Sequence, residues 1–531
     1  MRDDEPTLLD RAIAAVSPSW GFRRQQFRRA MAEARIGYDG ARSDRLYGDW
    51  IGGDGSADAI LLTQLPKLRQ RCRELARNNP IAASILHGKQ RNVVGCGLRP
   101  QSLIDPKIAG VSIEQARELR RVAERIFARW MRGASLDHRQ SFYSLQRLVQ
   151  RRRDEDGEAF WHLAMMRRQG QPYETVVEVV ESDRVDTPAG KEDNGRIRSG
   201  VELGASGEPV AYWVLEEHPG DGHLARSGGR RSWRKVPVRD GNGSVRFGHL
   251  ARIRRPNQTR GEPLLAPAMT TLRDLGSTLE AERVAKRIES CFAGWILRDP
   301  QAWGAQGRNP ATGRIEMPLQ PAVFQQLAPG ESVVMNEPKR GGETFNSHIQ
   351  LLVKMTGAAV ELPLELVLLD FTQSNFSNTR AAKLEAQRGF EIEQADLVHC
   401  FCQPCYEAVL EEAWLKGEFL VHDFYALRDV WTACEWMPDG WRWVDPKSES
   451  AATETSLRTG LSNLAIEAHR QGRDWEDHLR QNLEVEQRWH EMRKEMHLDP
   501  APLPGSGQVQ QQVPVGAGVA PEVPEQQEDQ P

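Results

Sequence analysis

The residues that come closest to a metal site lie in one short segment, where His399, Cys400, Cys402 and Cys405 occur together. Imidazole and thiolate groups are the ligands that zinc prefers, and Cys402 and Cys405 form a CxxC pair. A closed zinc site needs a second pair of ligands, but no second CxxC or HxxxH lies nearby. The surrounding pattern is helical, so the thiols are expected to point in different directions. The segment therefore favours structural thiols and no metal site.

A second segment, Asp154–Glu158, carries four carboxylates around one glycine and follows the run Arg151–Arg153. Paired carboxylates can hold a divalent metal ion or act as a general acid and base. The same residues also suit the charged end of a helix that precedes a strand beginning at Ala159. We favour the helix end and keep a metal-dependent packaging nuclease as the alternative function.

The sequence lacks the signatures of the common phosphate-transfer and hydrolytic enzymes. It has no GxxxxGK[ST] loop to cradle nucleotide phosphates, which excludes the ATP-driven class of DNA motor. It has no GxSxG elbow and no HExxH pair. The sequence therefore predicts no catalytic residue, no cofactor and a non-enzymatic role.

Composition indicates a slightly acidic protein with several packing units. The 531 residues carry a formal net charge of −4, whereas a protein that coats DNA would be basic. The seven cysteines follow no regular framework, which predicts reduced thiols in a cytoplasmic compartment. No apolar run is long enough to span a bilayer, and Met1–Glu5 does not resemble the start of a signal peptide. We expect no membrane association.

The two ends of the chain differ in charge. Residues 1–50 read as an arm in which arginines alternate with aromatic residues, so contact with nucleic acid and contact with a neighbouring subunit are both open. Residues 498–531 are rich in Pro, Gly and Gln, and no Lys or Arg occurs from Ala501 onward. This composition predicts a disordered tail.

The part of the chain after the arm mixes helical and strand-like patterns and predicts an α+β domain. Helices are expected at about 57–92, where Pro66 kinks or divides the helix, and at about 113–132 and 141–153. Strands are predicted at Glu158–Met166, Glu174–Glu181, Val210–Leu215 and Val245–Ile253, and an exposed hairpin or loop at Gly220–Gly243.

Two long helices joined by an insert come next. A stripe of apolar residues predicts one continuous helix over Glu262–Leu297 with Pro263 in its first turn, and a second helix is expected at Ser347–Val360. The insert between them has its best strand signal at Val333–Met335. A lone stalk of this kind would expose its apolar stripe, which favours packing against copies of itself. Two helices inside one large domain remain the alternative.

A polar loop follows at Phe371–Asn378. A third long helix is predicted at Thr379–Lys416, bent or broken at Pro404, and further helices are expected from Trp443 to Met496.

Several segments, taken in order, resemble the portal proteins of lambda-like tailed bacteriophages. Leu68–Pro80 resembles the family's LRxRxRxLxRNNP helix, and Asn92–Gly97 resembles its NxVGxG turn. Asp156–Glu158 is similar to the family's DGE, and Arg255–Gly261 is similar to RPGQxRG with Asn257 in place of Gly.

The resemblance extends to both ends of this region. Tyr38–Ala41 resembles the family's arm. Ser374–Ala382 resembles xNYSSxRAA with Phe376 in place of Tyr, and Trp443–Glu449 resembles WVDPxKE with Ser448 in place of Lys.

This resemblance implies a portal fold with a mixed wing, long stem helices, a small β-containing clip and a helical C-terminal crown. The implied parts are the wing at 51–261, the first stem helix at 262–298, the clip at 299–345, the second stem helix at 346–361, the tunnel loop at 362–380, a long helix and return to the wing at 381–443, and the crown at 444–497.

The function implied by the resemblance is a ring, usually a dodecamer, at one vertex of a capsid. Double-stranded DNA would pass through it during packaging and ejection without sequence-specific contact. The implied partners are copies of the chain itself, the terminase large subunit, capsid and scaffold proteins, and head–tail adaptor proteins. The implied location is the virion, and the host cytoplasm during assembly. A tail or baseplate assembly protein is a further alternative.

The resemblance also implies a DNA-facing tunnel loop. Its candidate residues are Phe371, Thr372, Gln373, Ser374, Asn375, Phe376, Ser377, Asn378, Arg380 and Lys383. A channel that moves DNA must not grip it, because each neutralised phosphate adds affinity. The neutral side chains offer replaceable hydrogen bonds, the two cations a modest positive ring behind them, and the two phenylalanines a contact between subunits. An ordinary surface loop is the alternative.

Overall fold

The computed structural model of the protein describes most of the chain. The described residues are 20, 53–189, 191, 193–221, 231–291, 295–298, 331–334, 342–372, 376–440 and 446–499. The arm predicted at 1–50 and the tail predicted at 498–531 therefore lie outside the described residues, apart from Trp20, Leu498 and Asp499.

Four helices open the described part of the chain. They are α1 (Ala57–Asn78), α2 (Pro80–Val93), α3 (Ile113–Trp130) and α4 (Phe142–Asp156), and they confirm the predicted helical segments. Pro66 lies inside α1 and does not divide it, contrary to one of the two predicted outcomes. The chain divides at Asn79 instead, because its side chain accepts the N–H groups of Ile81 and Ala82 at 3.0 Å and caps α2.

Two antiparallel sheets follow. Their strands are β2 (Glu158–Met165), β3 (Thr175–Val180), β4 (Ile197–Arg198), β5 (Val201–Leu203), β6 (Pro209–Leu215), β7 (Trp233–Pro237) and β8 (Phe247–Ala251). A separate short strand, β1 (Arg99–Ser102), lies between α2 and α3. One sheet has the order β3-β2-β8 and the other the order β4-β5-β6-β7. The predicted strands are confirmed. The segment Gly220–Gly243, predicted as an exposed hairpin or loop, contains β7, which pairs with β6 and buries Val236.

The hydrophobic core has two parts. The larger part collects side chains from the helices and from β2, and at its centre Phe127 lies 5.3 Å from the rings of both Phe142 and Tyr406. The smaller part lies between the two sheets, where Tyr212 packs 4.8 Å from Phe247. Helices and strands thus share one mixed architecture, which confirms the predicted α+β class.

The region predicted as a stalk contains α5 (Met269–Cys291), β9 (Trp295–Arg298), β10 (Glu331–Val334) and α6 (Gly342–Ala359). The prediction of one continuous helix over Glu262–Leu297 is wrong at both ends. Pro263 and Pro267 lack amide hydrogens, and Pro267 lies in a short 3₁₀ turn before α5 begins. At the other end the apolar run from Trp295 is a strand that pairs antiparallel with β10.

A short helix, α7 (Leu364–Leu368), precedes the long helical segment made of α8 (Phe376–Leu397) and α9 (Gln403–Leu415). A π-helical turn at Val398–Cys402 joins the last two, close to the predicted break at Pro404. Pro404 has no amide hydrogen for the carbonyl of Cys400 four residues earlier. The indole Nε1–H of Trp161 donates to that carbonyl at 3.1 Å, so the irregular turn keeps its hydrogen bond.

The C-terminal part is helical, as predicted. It contains α10 (Arg428–Trp431), β11 (Cys434–Met437), α11 (Pro446–Thr459), α12 (Leu464–Arg470) and α13 (Trp475–Glu495). Strand β11 pairs antiparallel with β1, and Gln101 Nε2 donates to Asp474 Oδ2 at 2.6 Å, which ties the start of α13 to β1. No described helix combines the length and apolarity needed to cross a membrane.

The bond from Trp161 to the irregular turn predicts a stability effect. The substitution Trp161→Phe removes the indole donor from the Cys400 carbonyl, which should lower the free energy of unfolding by about 1–3 kcal/mol. Urea unfolding of the purified chain measures the change. The matched control is Trp213→Phe, because the Trp213 indole donates to Glu202 at 3.2 Å in a half-buried position. Equal losses in the two variants would contradict this role of Trp161.

Candidate functional site: a polar loop and the buried charges behind it

The predicted DNA-facing residues lie at the junction between α7 and α8. Phe371 and Thr372 are described and exposed, whereas 373–375 lie outside the described residues. Helix α8 begins at Phe376, so Ser377, Asn378 and Arg380 are helical, whereas the sequence predicted a loop that runs to residue 380. Serine and asparagine are frequent at helix starts as well as in loops, which is why the polar pattern was ambiguous.

The turn before the loop is shaped by one carboxylate. Asp370 Oδ1 accepts the backbone N–H of Thr372 at 3.0 Å and its hydroxyl at 2.7 Å. These two hydrogen bonds lower the pKa of Asp370. Leu369 adopts a left-handed conformation with φ of 55° at the end of α7. This conformation is uncommon for a residue other than glycine. The side chains of Leu369 and Phe371, on either side of Asp370, are both exposed to solvent.

Behind the loop, the two predicted cations lie on the first turns of α8. Arg380 and Lys383 line a cavity of about 780 Å³ between α8 and α11. The guanidinium of Arg380 lies 3.9 Å from the carboxylate of Glu449 on α11. The positive charge expected behind the loop is therefore present on α8, and one of the two cations has an acidic neighbour in the same chain.

The other end of α8 is held by buried charges, which we call the helix anchor. Glu393 on α8 accepts from Lys89 at 3.0 Å and from Gln150 at 2.8 Å. Arg252, just after β8, donates to Asp154 at 2.8 Å and lies 3.6 Å from Glu393. The carboxylate of Glu393 thus contacts side chains from α2, from α4 and from the residue that follows β8.

The charges of the helix anchor act on each other through a low-dielectric interior. Burial raises the pKa of Asp154 to about 6, and the nearby charge of Glu393 adds to the shift. Burial also opposes ionisation of Glu393, but the positive charges of Lys89 and Arg252 outweigh it and lower its pKa. Glu393 therefore keeps its negative charge facing these cations.

A second buried group of charges, which we call the motif cluster, surrounds Glu158 at the start of β2. Its Oε2 accepts the Gly261 N–H and His249 Nε2, both at 2.9 Å. Arg260 Nη2 lies 2.7 Å from Oε1, and Arg69 of α1 donates to the same oxygen. Three sequence segments that are far apart in the chain, around Arg69, Glu158 and Arg260, converge here.

The cations determine the charge state of this cluster. Burial alone would raise the pKa of Glu158, but Arg260 and Arg69 reverse this and hold the pKa well below its usual range. Burial lowers the pKa of His249 despite its contact with Glu158. Arg260 also donates to the carbonyls of Val185 and Ser182 at 3.0 Å, so its guanidinium also holds the segment between β3 and β4.

Glycines allow the backbones to meet at the motif cluster. Gly157 ends α4 with φ of 88°, a left-handed conformation that favours glycine. A Cβ atom on Gly261 would lie 2.0 Å from the carbonyl oxygen of Gly157. The two glycines therefore permit a close approach that places the Gly261 N–H on Glu158.

The acidic side chains of Asp154–Glu158 lie where α4 ends and β2 begins, which is the helix end that the sequence favoured. All four carboxylates are buried. Asp156 Oδ1 accepts from Arg73 at 2.6 Å, and Glu155 accepts from Arg151 at 3.1 Å. Each of these two carboxylates is thus already bound to a guanidinium group. Among the described residues, no group of three or more His, Cys, Asp or Glu is arranged to hold a metal.

The cysteines near α9 are in the core. Cys402 and Cys405 are completely buried, and burial raises the pKa of both thiols well above the usual value. Cys402 Sγ lies 3.5 Å from the Gln146 amide nitrogen, and Cys434 Sγ lies 3.0 Å from the Gln403 amide oxygen. Protonated, enclosed thiols of this kind match the structural role that the sequence favoured.

Sequence reasoning missed the residues that organise this site. Arg69, Glu158 and Arg260 were noted only as members of separate motifs, and Glu393 and Lys89 received no role. One signal was available, since arginine-rich and acidic motifs recur at separate places in a chain whose total charge is nearly balanced. Buried ions are rarely tolerated without partners, but that rule does not say which partners meet.

The motif cluster predicts a large and specific loss of stability. The substitution Glu158→Gln removes the negative charge that faces two buried guanidinium groups, which should lower the free energy of unfolding by about 3–5 kcal/mol. Denaturant unfolding near neutral pH measures the loss. The control Glu202→Gln breaks a pair with Lys235 near the surface and should cost less than about 1 kcal/mol. Similar losses would show that Glu158 is not the centre of the cluster.

Comparison with known proteins places this arrangement in a family. The family model for phage portal proteins of the lambda family matches residues 43–394. The probable portal protein of Halomonas phage phiHAP-1 is 25% identical over 457 residues, covering 82% of this chain and 83% of that protein. Portal protein B of Escherichia phage lambda is 22% identical over 494 residues, covering 84% of this chain and 91% of that protein.

Among solved structures, a chain from the neck of a native gene transfer agent particle, computed with C12 symmetry, is 14% identical with a TM-score of 0.39 and covers 78% of this chain and 91% of that chain. A chain from the virion of a native gene transfer agent particle is 14% identical with a TM-score of 0.42, and the match covers 77% of this chain and 93% of that chain. At TM-scores this low the likenesses carry no argument. The family model spans both charge clusters and the loop between α7 and α8, and the chain belongs to the lambda family of phage portal proteins.

Proposed function

We propose that the protein is the subunit of a ring of twelve copies, through which double-stranded DNA enters and leaves a phage head. The observation that carries this proposal is the match of the lambda-family portal model to residues 43–394. The relatives from three phages, including Escherichia phage N15, are named portal proteins or a probable portal protein.

Exposed apolar side chains support association with copies of the chain. Leu351 and Met355 on α6 are 54% and 58% exposed, and Leu369 and Phe371 beside the loop are 53% and 51% exposed. A stripe of this kind is costly in water and is covered when identical subunits pack side by side. In the proposed ring these residues lie between neighbours, with Phe371 and Phe376 at the constriction.

The chemistry of the loop supports passage of DNA and not its retention. The proposed tunnel loop contains Thr372, Gln373, Ser374 and Asn375, all of them neutral. Each cation that neutralises a phosphate strengthens binding and makes it more salt-dependent, whereas neutral hydrogen-bonding groups exchange partners easily. Arg380 is set back on α8, and its guanidinium lies 3.9 Å from the carboxylate of Glu449.

The proposed role is structural and not enzymatic. In it, the chain acts in the virion, at one capsid vertex, and in the host cytoplasm during assembly. Its proposed partners there are the terminase large subunit, capsid and scaffold proteins and head–tail adaptor proteins. The buried pairing of the Asp154–Glu158 acids supports this proposal over a metal-dependent nuclease, because Arg73 and Arg252 already bind Asp156 and Asp154.

The ring itself can be tested directly. Negative-stain imaging and native mass measurement of the purified full chain should give closed rings with a central channel at least as wide as duplex DNA. We expect rings because the exposed apolar residues on α6 and beside the loop need a partner surface. A stable monomer at micromolar concentration would contradict the proposed function.

The neutral character of the loop predicts the effect of an added charge. Asn375→Lys places one more cation per subunit beside the phosphates, so binding of linear duplex DNA to rings should tighten at low salt. The slope of the logarithm of the binding constant against the logarithm of the salt concentration should steepen by about one unit or more. Binding titrations at several salt concentrations measure this.

The matched control is Asn242→Lys, which adds the same charge to an exposed turn near Tyr425. That variant should keep the salt slope of the natural chain. If both variants change the slope equally, the loop has no special position relative to DNA.

A further inference from the structure

Helix α8 is firmly packed at one end only. Its last turns bury Phe390, Glu393 and Leu397 in the core and the helix anchor. Its first turns, from Ser377 to Glu385, contain no buried side chain among the described ones. The end that carries the proposed DNA-facing residues is therefore free of the core, and its position depends on whatever else it contacts.

Helix α11 is the element beside this free end. The cavity of about 780 Å³ separates the two helices, and it is lined by Lys383 and Gln387 from α8 and by Thr453 and Ser456 from α11. Close packing is absent along this stretch of the described helices. Among the described residues, the charged contact that bridges the two helices here is Arg380 with Glu449, at 3.9 Å.

The pair is built to be weak. The side chain of Arg380 is 45% exposed and that of Glu449 is 22% exposed. Water and salt screen a pair in this position, and its contribution to stability is small. Lys383 adds positive charge on the same side of α8, and no carboxylate of the described residues lies within ion-pair distance of it. A phosphate that reaches this end of α8 would therefore meet two cations and one weakly held carboxylate.

We propose that Arg380 and Glu449 form a latch between α8 and α11, and that a DNA phosphate at the loop competes with Glu449 for Arg380 and releases α11. The proposal rests on the proposed function, because it requires DNA to pass beside the loop. A guanidinium binds phosphate through two parallel hydrogen bonds, so a phosphate is an effective competitor for a carboxylate at 3.9 Å. Contact with DNA is then transmitted to the C-terminal helices within one subunit.

Coupling of this kind is reciprocal. If DNA weakens the docking of α11, then loss of the docking contact must strengthen the binding of DNA. The substitution Glu449→Gln should therefore raise the affinity of assembled rings for duplex DNA by about twofold, the scale of one weak surface pair. The matched control is Glu385→Gln on the same helix, because Glu385 pairs with Arg388 on α8 at 3.1 Å and does not line the cavity that faces α11.

Amide hydrogen exchange tests the release itself. The sample is the assembled ring of the full chain, with and without linear duplex DNA, and the readout is exchange in residues 446–459. DNA should speed this exchange by about twofold in the natural chain and in Glu385→Gln. Glu449→Gln should exchange faster without DNA and should not respond to it.

The outcomes separate this proposal from the proposed function. If rings bind DNA but exchange at 446–459 is unchanged, or if Glu449→Gln binds DNA with the affinity of Glu385→Gln, the latch is wrong and the portal role stands. If no rings form or rings do not bind DNA, the proposed function fails. Should Glu449→Gln not assemble, the response of the natural chain to DNA still decides whether the latch exists.

Discussion

The carboxylate of Glu158 is the centre on which the rest of the structure depends. It is fully buried, and it binds guanidinium groups from α1 and from the segment before α5 as well as a histidine of β8. A buried ion of this kind is costly unless its partners are in place, so the cluster forms only when helix, sheet and connecting segment are all folded. The cluster therefore contributes more to the specificity of the fold than to its net stability.

The helix anchor extends this constraint to α8. Asp154 lies in the last turn of α4 and Glu158 begins β2 just after it, and each faces a different cluster. Within the helix anchor, Lys89 and Arg252 both lie beside Glu393, and these contacts hold the C-terminal end of α8. The two clusters thus give α8 a fixed base, while its first turns remain outside the core. In the proposed ring, this combination of a fixed base and free first turns would suit a loop that contacts moving DNA.

Much of the local structure could be predicted from the sequence, because it depends on neighbouring residues. The periodic apolar residues of α1 and α3, the alternation in β2, and the helical end at Asp156 all follow from short-range geometry. The predictions were wrong where two local patterns compete. The run from Trp295 suits a helix stripe and a strand equally well, and its pairing with β10 decides for the strand. The start of α8 at Phe376 had the same ambiguity.

By itself the sequence determined the class of fold, most of its long helices and the motifs that resemble the portal family. Only the tertiary structure decided what those motifs do together. Glu158 lies 89 residues from Arg69 and 102 residues from Arg260 along the chain, so no spacing rule connects them. Their meeting results from burial, because a buried charge is stable only where the folded chain supplies its counter-charges. The weak contact between Arg380 and Glu449 was likewise visible only once α8 and α11 lay side by side.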